Sequence, residues 1–335
     1  MSATGPGGAA VVCVGETMAA LAPEPVGPLD AADLLRLEVA GSESNVAMYL
    51  AALGTPARWV SAVGDDPFGR LVLRRVAAAG ADVSGVRTVA GRPTGLMAKD
   101  PGAEGATRVH YYRSASAAAG LGPELLAEAP VREARLLHLS GITPALSPSC
   151  RALVEEALAQ GRDRGRLVSF DVNHRPALWR GRQEAARVLR DLADRADLVF
   201  VGLDEAQGLW GGPRAVPDAS AVRDLLPAPA TLVVKDGAVA ATLFEGETRC
   251  VVPAPRVRVK EPVGAGDAFA AGFLAARFGP GATRDPVRAL RLGHLTAASA
   301  LAVVADHGPL LPPERQRALL AADEEEWART LLQFR

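Results

Sequence analysis

Lysine is nearly missing from this sequence: it occurs only at positions 99, 235 and 260 among 37 basic residues. Aromatic residues make up 4%, and tyrosine stands only at 49, 111 and 112. The cysteines are three, at 13, 150 and 250, an odd and widely spaced set that fits neither a disulfide framework nor a zinc knuckle. Charge of one sign is also lacking. A net charge of −1 offers no broad field to hold nucleic acid or an anionic membrane. Long apolar runs are absent: the stretch from Leu295 to Ala305 is among the longest and falls well short of the roughly 20 residues a membrane span needs. The first ten residues, MSATGPGGAA, carry no basic n-region of a secretory signal. No Gly-Lys pair exists, which excludes the Walker A loop, and no GxGxxG dinucleotide fingerprint is present. These absences leave a cytoplasmic globular protein that handles small molecules.

What is present supports a sizeable core. Of 335 residues, 49% are hydrophobic and 22% charged, as in ordinary globular chains. Short apolar runs alternate with longer helical patterns. Strands are expected over 9–15, 58–63, 136–139, 167–172, 198–201 and 231–235, with a hairpin at 239–244 and 248–252. Helices are expected over 45–53, 67–79, 148–160, 182–195, 204–209, 219–226, 265–277 and 285–304. Between them, 83–89, 94–99 and 108–113 read as short strands with no intervening helix, a small antiparallel flap. The pattern predicts one α/β domain over 1–322, a mostly parallel sheet covered on both faces by helices. Residues 323–335 read as a charged tail, a helix on the surface.

Four segments carry residue types suited to chemistry. Ahead of Glu261–Gly272 (EPVGAGDAFAAG), a strand-like stretch from Val257 to Lys260 leads through Gly264-Ala265-Gly266-Asp267 into a helix of small residues. The first N–H groups of a helix lack internal partners and carry part of the dipole's positive charge, so this turn suits a phosphate or oxyanion. Asp267 in the first turn is placed to accept a proton from a hydroxyl nucleophile. The same residues also fit a plain tight turn with a helix-start charge. Ala40–Asn45 (AGSESN) opens another helix, either as a polar turn for a polyhydroxy ligand or with Ser42 or Ser44 as a simple cap. In Arg108–Arg113 (RVHYYR), strand alternation puts Tyr111 and Arg113 on one face and His110 and Tyr112 on the other. A phenol beside a guanidinium suits a carboxylate with neighbouring hydroxyls; an ordinary aromatic ribbon is the alternative. In Ser169–Arg175 (SFDVNHR), Asp171, Asn173 and Arg175 project together at the carboxyl end of a predicted parallel strand, where open α/β sheets bind ligands. A turn stabilised by Asp171 and Asn173 would look the same.

Taken together, these segments resemble the ribokinase-like carbohydrate kinases of the PfkB family. Ala40-Gly41 with Asn45, Gly54 and Gly64 matches that family's first signature, and Gly264–Asp267 with Gly272 matches the second. Order and spacing agree from about Val11 to about Leu320. Within the family the chain is most similar to 2-keto-3-deoxygluconate kinases, through Tyr111-Tyr112-Arg113, the run from Leu137 to Ser147, Asp171-Val172-Asn173 with Arg175, Leu178 and Trp179, and Asp306-His307-Gly308.

The resemblance implies a small β lid from about 17–40 and 82–113 that also mediates dimers. It implies ATP and Mg²⁺ as cofactors and a sugar or sugar acid as partner. It implies a catalytic base at Asp267, with the Gly264, Ala265 and Gly266 backbone at the transferred phosphoryl group. The sugar side would hold Gly41, Asn45, Met97, Tyr111, Arg113, Ile142, Asn173 and Arg175, with Arg113 and Arg175 on the carboxylate. The nucleotide side would hold Lys235, Gly237 and His294. Glu205 would serve the metal, although Gly202 stands where the family's Asn-x-x-Glu motif has asparagine. Glu261, His294 and Met97 also depart from the usual Asp, Asn and Tyr. A neutral-sugar kinase such as a fructokinase is the rival within the fold, and a non-catalytic sugar sensor the rival outside it.

Overall fold

The computed structural model describes residues 11–101, 107–163, 165–305 and 307–334. The chain runs through β1 (Val11–Val14), β2 (Met18–Pro23), β3 (Leu35–Ala40), α1 (Ser42–Ala52), β4 (Ala57–Gly64), α2 (Pro67–Ala78), β5 (Asp82–Val89), β6 (Leu96–Pro101) and β7 (Thr107–Tyr112). It continues with α3 (Ala129–Arg132), β8 (Leu136–Ser140), α4 (Thr143–Leu146), α5 (Pro148–Asp163), β9 (Leu167–Asp171), α6 (Arg182–Arg195), β10 (Leu198–Gly202), α7 (Leu203–Trp210) and α8 (Ala219–Leu225). Then follow β11 (Thr231–Asp236), β12 (Ala240–Glu245), β13 (Thr248–Pro253), β14 (Arg256–Val257), α9 (Ala265–Phe278), α10 (Pro286–Leu301), α11 (Pro313–Ala321), α12 (Glu324–Arg329) and β15 (Leu331–Leu332).

A large sheet in the order β13-β12-β11-β10-β9-β8-β1-β4-β5 forms the centre. It is parallel from β5 to β11, and β12 and β13 close one edge as an antiparallel hairpin. Strand β1 shows why both faces are covered. Its residues alternate, Val12 and Val14 into one apolar cluster and Val11 and Cys13 into the other, all fully buried. Helices α5 to α8 pack on the first side, and α1, α9 and α10 on the second. Local signals fix the helix ends. The side chain of Asp66 accepts from the Gly69 amide at 2.7 Å and Pro67 follows at the first helical position, so α2 starts there.

Strand order reverses between β1 and β8: β4 and β5 extend the sheet one way, β8 to β11 the other. Such a switch point opens a crevice at the carboxyl ends of the strands. A second sheet, β3-β2-β6-β7, forms the lid over that crevice. Its inner face, with Met18, Ala20, Ala40 and Met97 packed beside Val109 and Tyr111, makes a small apolar cluster of its own.

Two expectations need correction. Residues 82–89, assigned above to the lid, form β5, which pairs in parallel with β4 at the edge of the large sheet. It is the third member of a strand–helix–strand crossover, and such crossovers rejoin their own sheet. The tail is more than a surface helix. Trp327 on α12 is 1% exposed, and β15 pairs with β14. Burying an indole anchors a segment whose charge alone suggested loose attachment.

Candidate active site

Helix α9 starts at Gly264, whose φ of 81° lies in the left-handed region that glycine enters without penalty. Asp267 is its third residue. Oδ1 accepts from Ser42 Oγ at 2.7 Å and from Asn173 Nδ2 at 3.2 Å, and Oδ2 accepts from Asn45 Nδ2 at 2.9 Å. Asn173 also donates to Ser42 Oγ at 2.7 Å. Three donors, two from α1 and one from the turn after β9, therefore aim one buried carboxylate, which keeps accepting capacity toward the cavity. Asn173 adopts a φ of 38°, a conformation asparagine tolerates better than most residues. Helix α1 points its own start at the same place. Gly41 is the cap, and a Cβ there would stand 2.5 Å from the Glu16 carbonyl oxygen. Ser42 thus serves Asp267, not its own helix end.

Lys235, at the end of β11, holds its Nζ 2.9 Å from Asp171 Oδ2. A Cβ on Gly266 would meet that ammonium at 3.3 Å, so the charge lies against the start of α9. Burial works against the ammonium, but Asp171 and Glu205 outweigh it and hold the Lys235 pKa above its usual value. The open amides of α9 and this cation together suit phosphate. Glu205 also has a structural task. Its Oε1 accepts from the His174 amide at 2.7 Å and its Oε2 from the Gly202 amide at 2.9 Å. Burial and the Asp171 charge raise its pKa. It clamps the β9 and β10 turns together. Asp171 Oδ1 is buried and has no hydrogen-bond partner among the described residues. Asp204 and Glu205 line the same cavity, but among the described residues no three acids gather into a metal cluster, so the free Asp171 oxygen fits only a largely hydrated Mg²⁺ held beside phosphate.

His294 stands edge-on to Phe269, ring centroids 5.2 Å apart. Its Nε2 lies 3.1 Å from the Val252 carbonyl oxygen, which only accepts, so Nε2 carries the proton. Burial lowers its pKa to about 4, and the ring is neutral. It is an apolar wall rather than an acid or base. Gly237 lies on the nearby β11–β12 turn with a φ of 46°.

At the other end lie Met97, Tyr111, Arg113, Ile142 and Arg175. Met97 and Tyr111 are register partners across β6 and β7, while Tyr112 is 64% exposed on the opposite face, as alternation predicts. Arg113 lies over the Tyr111 ring, 5.5 Å from its centroid. It is not free for an incoming carboxylate in the way expected above: its Nε donates to Glu16 Oε2 at 2.6 Å and its Nη2 meets the same oxygen. Arg175 donates only to a backbone carbonyl, that of His174, among the described residues. One cavity of about 990 Å³ spans all these groups, from Met97 and Tyr111 through Asp267 to His294 and Leu301.

Every site residue named from the sequence lines this cavity. Glu16 and Lys99, given no site reading from the sequence, also do, as do Ser42, Asp171 and Glu261, which were noted there as a cap, a strand-end carboxylate and a departure from the family's Asp. The position of Glu16 just past β1, at a carboxyl strand end, was the available signal. Of Asp306-His307-Gly308, Asp306 lies outside the described residues. Gly308 donates its amide to the Tyr49 hydroxyl at 2.8 Å and braces α1.

The pfkB family carbohydrate kinase model matches residues 9–311. The chain is 36% identical over 265 residues to the 2-dehydro-3-deoxygluconokinase of Bacillus subtilis, covering 78% of this chain and 81% of that one. It is 33% identical to the enzyme of the same name from Thermoproteus tenax, covering 93% and 94%. The crystal structure of a PfkB protein from Polaromonas sp. JS666 superposes with a TM-score of 0.78 at 34% identity, covering 93% and 99%. With an aspartate poised at a helix start beneath a β lid, and a family match over nearly its whole length, the chain belongs to the pfkB family of carbohydrate kinases.

Proposed function

We propose that this kinase transfers the γ-phosphoryl group of ATP to the terminal hydroxyl of 2-keto-3-deoxygluconate, giving 2-keto-3-deoxy-6-phosphogluconate. The compound is the 2-dehydro-3-deoxygluconate of the relatives' names. The observation that carries the reading is the Asp267 carboxylate, oriented by Ser42, Asn45 and Asn173 at the start of α9. Asp267 takes the hydroxyl proton while the oxygen attacks the γ-phosphorus in line and the bond to ADP breaks. The Gly264–Asp267 amides and Lys235 stabilise charge on the phosphoryl oxygens. Gly237 and His294 border the nucleotide.

Mg²⁺, still largely hydrated, would be held beside the phosphate by Asp171 and Glu205. When bound, it supplies positive charge to the phosphate oxygens. Arg175 gives the sugar end its uncompensated positive charge, since Glu16 offsets Arg113. That charge favours an acid over fructose. Gly41, Asn45, Met97, Tyr111, Ile142 and Asn173 shape the rest of the sugar site. The lid exposes Leu35 and Tyr112 on its strands and Val26 and Leu34 on the segment between β2 and β3, which suits a homo-oligomer joined through the lid. A cytoplasmic location suits an ATP-dependent kinase.

The test is ADP release with Mg²⁺ATP on 2-keto-3-deoxygluconate, fructose, ribose and gluconate, with Asp267→Ala as control. Turnover should be fastest on the keto-deoxy acid, and the variant should lose roughly 10²–10⁴-fold in kcat. Preference for fructose would overturn the sugar-acid reading.

A further inference from the structure

Lys99 and Glu261 meet across the cavity from opposite sides. Lys99 projects from β6 of the lid, and Glu261 lies in the loop three residues before Gly264. Nζ stands 3.1 Å from Oε1, with the side chains 5% and 14% exposed. Met97 lies two residues earlier on the same strand, so it and Lys99 face the same way. One short strand therefore carries both a residue of the sugar end and a contact to the phosphate loop. That loop has few other ties. Pro262 and Val263 are exposed, and Ala265 N reaches the Pro262 carbonyl at 3.4 Å. Glu261 is the side chain through which the loop meets the lid.

We infer that the Lys99–Glu261 pair is a positioning latch that makes phosphoryl transfer depend on a filled sugar site. Sugar under Met97 and Tyr111 holds the lid down. Lys99 then fixes Glu261, and the Pro262–Gly264 turn brings the first amides of α9 into line with the phosphoryl group. With the lid raised, both charges return to water, the turn loosens, and ATP is spared from hydrolysis. Neither side chain touches a reacting atom. A dry, charge-paired contact suits this role because it forms only when both sides are in place, and either partner left alone and buried is costly.

The latch rests on carbohydrate kinase activity and not on the identity of the sugar, so it is tested with whichever sugar the wild type phosphorylates. ADP and sugar phosphate are measured separately for Lys99→Met, Glu261→Gln, the double variant and Lys99→Arg. Wild type should give one ADP per sugar phosphate. Each neutralising variant should lower kcat roughly 10-fold, a typical size for coupled neighbours, with KM for the sugar changed less and the ratio still at one, because a loosened turn slows transfer to water as well as to sugar. The double variant should be no worse than the worse single, and Lys99→Arg should restore most of kcat. Wild-type kcat and stoichiometry in both single variants would overturn the latch. So would losses that multiply in the double variant. A lowered melting temperature with kcat unchanged well below it would mark the pair as structural only and overturn it too, and so would a ratio well above one. Wild type acting on fructose but not on the keto-deoxy acid would sink the proposed substrate and leave this test intact.

Discussion

Glu43 is 1% exposed on the first turn of α1, beneath the site. Its Oε1 accepts from Ser140 Oγ at 2.7 Å and Thr143 Oγ1 at 3.0 Å, and Oε2 has no partner among the described residues. Glycine at position 15 makes the room, since a Cβ there would stand 2.1 Å from the carboxyl carbon. Burial, against those hydrogen bonds and with the Asp267 charge adding, raises the Glu43 pKa to about 7. The folded chain therefore holds a proton that the unfolded chain releases at its ordinary value of 4.5. Stability contributed by this group is full below that value and falls as pH rises toward 7. The wild-type melting temperature should drop by a few degrees from pH 5.5 to 8, and Glu43→Gln should flatten that slope. Equal slopes in the two proteins would place the titration elsewhere. Asp267, Asn45 and Arg175 were legible because each stands in a local motif. Glu16 and Glu43 were not, because their partners Arg113 and Ser140 lie 97 residues away in each case.

Helix α9 owes its place to what it lacks. Ala268, Ala270, Ala271 and Gly272 are buried small residues, and α10 packs close against them. A Cβ on Gly272 would stand 2.4 Å from the Leu292 carbonyl oxygen and 2.5 Å from Thr296 Oγ1. The obstacle is backbone of a neighbouring helix, so it yields only if the helices part. Gly272→Ala should cost about 1–3 kcal/mol, seen as a melting temperature lower by several degrees. Because Asp267 rides on the first turn of the same helix, kcat should fall as well, with both KM values nearly unchanged. Intact kcat in a destabilised variant would show that the helix start is held independently of its middle. Elements of this kind were readable from periodicity and from Gly and Pro at helix ends: α6 matches its expected bounds, and α9 runs one residue further. Strand β5 went to the wrong sheet because a short strand looks alike in a flap and at a parallel edge; the preceding α2 was the clue that decided it. β14 extends over only two residues, because its partner β15 arrives from the far end of the chain, where no local pattern points.

At the scale of the whole molecule, the site stands where the sheet reverses, between the lid, which carries Met97 and Tyr111 of the proposed sugar end, and the proposed nucleotide end from β11 to α10. The last segment completes that second wall. Trp327 Nε1 donates to the Pro253 carbonyl at 2.8 Å, and the Arg291 guanidinium lies 4.8 Å from its ring centroid. His294, the neutral wall of the cavity, is 6.4 Å from Trp327 on one side and 5.2 Å from Phe269 on the other. Leu331 is the register partner of Arg256, and the Arg256 amide donates to the Thr330 carbonyl at 3.1 Å. Arg256 and Val257 line the cavity. The tail thus braces the cavity wall proposed for the nucleotide without entering it. Trp327→Ala removes a buried indole at a cost of about 3–5 kcal/mol and frees β14 to shift. KM for ATP should rise several-fold while KM for the sugar stays near wild type, measured at a temperature well below the variant's melting point. A matching rise in both KM values would show the tail acting on the fold as a whole; a selective rise would make it part of the nucleotide site, which is why a charged and apparently dispensable end keeps a tryptophan in its middle.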